Sequence, residues 1–194
     1  MRIKVIIFII IIIVILFLAW LFWASTRPLP GQKQVDEGRG HVQIGTEIKY
    51  NSNPPTSGEH YGDWTRAGVY TDVKDDRNLV HSLEHGYIIM SYRCDTAMPA
   101  GRQGNQGNQG DKVEATEGGQ LATSAECDSR KNQLEEIYNK KGKRKLIVVP
   151  RPNLDTNFAI TAWNYLDKFD QFDSEKINKF IDAHLDNGPE RTME

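Results

Sequence analysis

The stretch from Val80 to Cys94, VHSLEHGYIIMSYRC, places two histidines four residues apart around a glutamate, then a glycine, then an apolar run. YIIMSY has the β-branched and aromatic composition of a strand. Gly86 ahead of it leaves room for at most one and a half turns of helix over the histidines. His81 and His85 share a face on a helix, where i and i+4 are neighbours, and also on a strand, where the period is 2. Glu84 joins them only on a helical turn.

Outward from this stretch, strand and helix patterns mix without a regular βαβ alternation. HVQIGTEIKY (41–50) alternates apolar and polar residues as a strand does. NSNPPTSGEHYGDW is a turn-rich loop stiffened by Pro54 and Pro55. AGVYTDV reads as a short strand and DDRN as a turn. After Cys94, residues 125–141 show helical spacing through Leu134, Ile137 and Tyr138, and Gly142 ends them. KLIVVP and FAITAW read as strands. FDSEKINKFIDAHLDNGP is the clearest helix, with Ser174 as N-cap, Ile177, Phe180, Ile181 and Leu185 on one face, and Gly188-Pro189 as its stop. The fold class is α+β, one globular domain over residues 41–190 with a small, mostly antiparallel sheet and two or more helices.

Before this domain, Met1–Lys4 is short and basic, and no charge appears from Val5 to Ala24. Twenty apolar residues at 1.5 Å rise suffice to cross a bilayer, and Trp20 and Trp23 suit the headgroup interface. Residues 1–24 therefore read as a cytoplasmic tip and a single transmembrane anchor. Arg2 and Lys4 favour a cytoplasmic N-terminus, with the rest of the chain outside a bacterial cell membrane. Residues 25–40, STRPLPGQKQVDEGRG, are a polar linker. With Arg2 and Lys4 set aside, 22 basic side chains face 26 acidic ones. That balance gives no support for nucleic-acid binding, and the protein partner is unknown.

Cys94 and Cys127 are the only cysteines, and outside the cytoplasm a lone pair reads as a disulfide. Between them, residues 95–126 form a Gly/Gln-rich insert with too little apolar surface to order itself, hence flexible. A bridge over a loop of roughly 34 residues stabilises the fold by about 3–4 kcal/mol on the chain-entropy argument.

Five histidines occur, and three of them, His60, His81 and His85, fall within residues 60–85. Imidazoles that converge with a carboxylate are ligands for borderline metals. His60, His81, His85 and Glu84 are thus the candidate metal ligands, with copper or zinc as the cofactor. The alternative is a structural polar network in which each ring bonds backbone carbonyls. HSLEH also fits the HxxEH pattern of inverted zinc proteases, but that chemistry needs the pattern in mid-helix, so an enzyme is the least favoured reading. His41 and His184 stand apart as surface residues. Tyr61, Trp64, Arg151 and Trp163 are candidates for lining a pocket, and Arg151 is expected to pair with an acid such as Asp155. Thr56 and Ser57 cap the PPTSG turn and lack a triad pattern.

NSNPPTSGEHY, WTRAGVY, LVHSLEHGYIIMSYRC, KLIVVPRPNLDT, ITAW and FIDAH…GPE occur in this order. In them the chain, over roughly residues 35–190, resembles a bacterial domain family of unknown function. Its members are secreted or held by one N-terminal membrane helix. The resemblance implies no established activity. Where the family often has proline before HY, this chain has Glu59, whose carboxylate would add a ligand beside His60 or raise its pKa. Three functional classes follow: a membrane-tethered metal-binding domain, an envelope interaction module with a structural histidine cluster, and a metal-dependent hydrolase.

Overall fold

Residues 146–149 and 88–90 are apolar at every position, which suits strands covered on both faces. In the computed structural model, which describes residues 2–26, 28–95, 124–152 and 154–192, they are the centre of the molecule. Strand β1 (Gln32–Lys33), β4 (Gly68–Val69), β5 (Ile88–Arg93), β6 (Leu146–Arg151), β7 (Phe158–Ala162) and β8 (Tyr165–Phe169) form one sheet in the order β1-β8-β7-β5-β6-β4. β5 and β6 run parallel, with Ile88 opposite Leu146 and Arg93 opposite Arg151. β4 also lies parallel to β6, whereas β5–β7, β7–β8 and β1–β8 are antiparallel. The sheet is therefore mixed, with antiparallel pairs in the majority. A second pair, β2 (Arg39–Val42) with β3 (Gly58–Tyr61), is parallel and separate.

Side-chain alternation sorts the sheet into two apolar faces. Ile88, Met90, Leu146, Val148 and Ile160 point to one side, where they meet helix α3 (Ser124–Lys140) through Leu134 and Ile137. Helix α4 (Ser174–His184) joins that layer through Ile177, Phe180 and Ile181. Ile89, Ile147 and Val149 point to the other side, against Leu79 and Leu83 of helix α2 (Asp76–Glu84). Each such side chain contributes about 1.5–3 kcal/mol on burial. Parallel β5 and β6 require a crossover, and α3 supplies it. β5, α3 and β6 thus form a βαβ unit, and β4 and β5, both parallel to β6, are joined through α2.

Several local expectations change. DDRN is the start of α2, because the Asp75 side chain accepts the Arg77 amide and caps the helix. Asp173, one residue before Ser174, caps α4 by accepting Lys176 N–H at 3.0 Å. The strand expected over 41–50 ends at Val42. Residues 28–40, read as linker, take part in the fold. β1 pairs with β8, Gln34 N–H donates to Asn164 O at 2.8 Å, and a Cβ on Gly31 would lie 2.6 Å from the Phe180 ring. His184, expected at the surface, is 2% exposed and donates to Pro30 O at 2.8 Å.

Cys94 and Cys127 are disulfide-bonded, tying the end of β5 to α3. Most of the expected flexible insert, residues 96–123, lies outside the described residues. Helix α1 (Arg2–Ser25) is long and apolar enough over Ile3–Trp23 to cross a membrane, and none of that span is buried against the protein.

Candidate metal centre

α2 carries HSLEH on its last turn. Helical spacing puts His81, Glu84 and His85 on one face, and His85 is the C-cap, its N–H donating to His81 O. Gly86 follows at φ +79, which a β-carbon would disfavour. A Cβ there would also lie 2.8 Å from the Asp186 Cα. The helix therefore stops where the sequence indicated, and β5 begins at Ile88. HSLEH lacks the sustained helix that inverted zinc protease chemistry requires.

β3 supplies the third histidine. Glu59 is the one exposed residue of its GEHY run, while His60 is fully buried. Glu59 is thus turned away from the ring beside which a carboxylate was expected. In-register parallel pairing sets His41 of β2 directly opposite His60. This brings in a histidine that had been placed apart from the cluster. His41 is exposed, but its ring lies 5.0 Å from that of His60 and 4.8 Å from that of His81.

The hydrogen bonds decide which nitrogens face inward. His60 Nδ1 donates to Gly58 O and His81 Nδ1 donates to Tyr61 O, each at 2.8 Å. Backbone carbonyls at Nδ1 leave each Nε2 as a lone pair in the neutral ring, the tautomer of a metal-bound histidine with its supporting acceptor. His60 Nε2 then stands 3.0 Å from Glu84 Oε2, and His81 Nε2 stands 3.1 Å from His85 Nε2. Between a neutral imidazole nitrogen and a carboxylate oxygen, contact this close needs a cation in between, either a proton or a metal ion. Burial, and next the His85 and His60 charges, push His81 below the usual imidazole range, so its ring is neutral near neutral pH.

Glu84 is 5% exposed. Besides His60, its neighbours are Arg39 at 3.8 Å and His41 at 4.0 Å, both exposed. One donor atom each from His41, His60, His81 and Glu84 lies within 4.8 Å of the others. A second set, His81, His85 and Glu190, meets the same limit. About 3.3 Å separates neighbouring ligands of a tetrahedral zinc with bonds near 2.05 Å, so modest side-chain movement would bring the donors into range. The set opens to solvent through a depression of about 380 Å³ lined by Arg39, Gly40, His41, Glu84 and Glu190.

The four expected pocket residues do not gather in one place. Trp64 stands edge-on to His85 at 5.0 Å and 5.6 Å from His81, so it walls the centre. Tyr61 is buried, its hydroxyl accepting from Gly45 N–H. Trp163 packs against the α2-side core. Arg151 lines a separate cleft of about 560 Å³ and pairs with Asp76, while Asp155 pairs with Lys168. Ser57 accepts the Glu37 amide and Thr56 is buried in the turn, in keeping with structural roles.

A family profile described as a protein of unknown function, DUF3105, matches residues 41–104 and 109–194. The chain belongs to this family. DUF3105 carries no assigned activity, and the centre described above falls entirely within or at the edge of the matched segments. No curated protein and no solved structure matches the chain.

Proposed function

We propose that this DUF3105 chain is a non-enzymatic, membrane-anchored domain that binds one transition-metal ion, copper or zinc, outside the cytoplasm of a bacterial cell. His60, His81 and Glu84 are the central ligands, and His41 and His85 border them. The observation that carries this reading is the pair of Nδ1–carbonyl bonds, which leave two buried Nε2 lone pairs facing the cluster, one 3.0 Å from the buried Glu84 carboxylate and the other 3.1 Å from His85 Nε2. Nitrogen-rich donors with one carboxylate suit Zn²⁺ and Cu²⁺, and at equal free concentration Cu²⁺ binds more tightly. The apolar helix α1 supports the anchor, Arg2 and Lys4 support a cytoplasmic N-terminus, and the disulfide supports an oxidising compartment.

A second reading is favoured by one observation: with protons in place of metal, the same nitrogens and oxygens already bond one another. The cluster is then a structural polar network of an envelope interaction module. Metal analysis separates the two. The full-length chain in detergent is stripped with chelator, reloaded with Zn²⁺ or Cu²⁺ and desalted. Coordination gives about one ion per chain in the wild type and a large loss in His60→Ala and His81→Ala. Folded wild-type protein that retains no ion ends the metal reading.

A further inference from the structure

The chain beyond α4 turns back over the C-terminal end of α2. Asp186 N–H donates to Gly86 O at 2.9 Å, and Glu190 N–H donates to Glu84 O at 3.0 Å. Glu84 O is one of the carbonyls that a helix end leaves without an intrahelical partner. The buried Lys145 Nζ clamps both sides of this strap, donating to His85 O and Thr192 O at 2.9 Å each and pairing with Asp186 at 3.1 Å. A Cβ on Gly188 would lie 2.2 Å from Glu84 O and 2.4 Å from Gly86 N, so only glycine permits the strap to lie this close. The strap thereby presents Glu190, half-exposed, with its carboxylate 3.7 Å from His85 Nε2.

His81 belongs to both ligand sets. Its Nδ1 is held by Tyr61 O, so only Nε2 is available, and one lone pair bonds one cation at a time. The two sets therefore cannot both be filled through His81. His85 Nε2, at 3.1 Å from His81 Nε2, stands on the side toward the half-exposed Glu190, whereas His60 is fully buried.

Resting on the metal reading above, we infer that His81, His85 and Glu190 form an outer position for the same single ion, through which it passes between the inner ligands and solvent. Moving outward, bonds from the ion to His60 Nε2 and Glu84 break, bonds to His85 Nε2 and Glu190 form, and the bond to His81 Nε2 persists. No electron is transferred, and one carboxylate replaces another, so the charge of the ligand set is unchanged. His85 gives up any Nε2 proton to water as it binds. Such a domain exchanges its ion with an external acceptor and does not keep it as a fixed structural metal.

The test uses the full-length chain loaded with Zn²⁺ and Glu190→Gln, a substitution at a half-exposed side chain. The readouts are ions per chain, equilibrium affinity, and the rate of Zn²⁺ transfer to excess chelator. The expected result is one ion per chain in both proteins, affinity within about threefold, and transfer about tenfold or more slower in the variant, as for loss of a supporting carboxylate. Equal transfer rates, or two ions per wild-type chain, would overturn the inference while leaving metal binding intact. A large affinity loss in Glu190→Gln would also overturn it, because Glu190 would then belong to the resting ligand set. A wild-type chain without zinc refutes the coordination reading itself, a result distinct from these.

Discussion

Replacing Glu84 with Gln separates a metal ligand from a structural acid, because the two roles give changes in different states. The Glu84 side chain is 6% exposed, and its Oε2 lies 3.0 Å from His60 Nε2. In metal-free protein a glutamine amide would donate to that nitrogen across the same gap, so stability changes by less than ~1 kcal/mol. Bound metal loses the only buried carboxylate of the inner set. A unit charge pair at 4 Å and an effective dielectric of 20 interacts by about 4 kcal/mol. Part of this is offset because the neutral amide is cheaper to desolvate, leaving a net loss of about 2.7 kcal/mol, or 100-fold in affinity. With free Zn²⁺ at 100 times the wild-type Kd, binding stabilises the wild type by about 2.7 kcal/mol and the variant by about 0.4 kcal/mol. For a domain of this size those values correspond to roughly 5–11 °C and roughly 1–2 °C in Tm. The assay is thermal unfolding of the full-length chain in detergent, followed by tryptophan fluorescence, with Zn²⁺ and with chelator. An undiminished zinc shift in Glu84→Gln would refute the reasoning. So would a loss of 3–5 kcal/mol in chelator, the size expected when one partner of an obligatory buried ion pair is removed.

Other substitutions test the scaffold. Cys94→Ser with Cys127→Ser should lower stability by about 3–4 kcal/mol in denaturant titration, with little change in metal affinity. Leu83, fully buried between α2 and the sheet, should cost about 2–5 kcal/mol as Leu83→Ala and loosen the helix that carries His81 and Glu84. His184 lies between the Tyr165 and Phe180 rings, and burial holds its pKa below the usual imidazole value, against the raising effect of its bond to Pro30 O. The unfolded chain then binds the extra proton first, so stability is full above about pH 6.5 and falls below it. His184→Asn should flatten that acid slope by up to one proton, or about 1.4 kcal/mol per pH unit, in melts between pH 7 and pH 5.

The sequence made legible whatever depended on local pattern. Gly86 marked the end of the histidine segment, the apolar runs marked β5, β6 and β7, and the two cysteines marked their own bond. Spacing placed His81 and His85 on one face in helix or strand alike, Glu84 joined them only on a helical turn, and the rigid PPTSG loop pointed to His60 as their partner. His41 was missed because its place depends on parallel pairing between two four-residue strands, which leaves no periodic signature. Glu190 was missed because it lies beyond the helix stop at Gly188-Pro189. The signal that would have found it is the glycine itself, required where the backbone crosses α2 at contact distance. Asp75 and Asp173 show the same limit at smaller scale, since an Asx residue suits either a turn or a helix cap. Residues 28–40 looked like a spacer because β1 is held through backbone bonds to β8, which polar side chains do not reveal.

The position of the ion is the most direct test. Crystals of the zinc-loaded protein, measured at the zinc absorption edge, should show one anomalous peak about 2.0–2.2 Å from Nε2 of His60, Nε2 of His81 and a carboxylate oxygen of Glu84. A peak elsewhere on the chain, or none while His60 Nε2 stays 3.0 Å from Glu84 as it is here, would contradict a metal centre and leave a proton-bridged structural network.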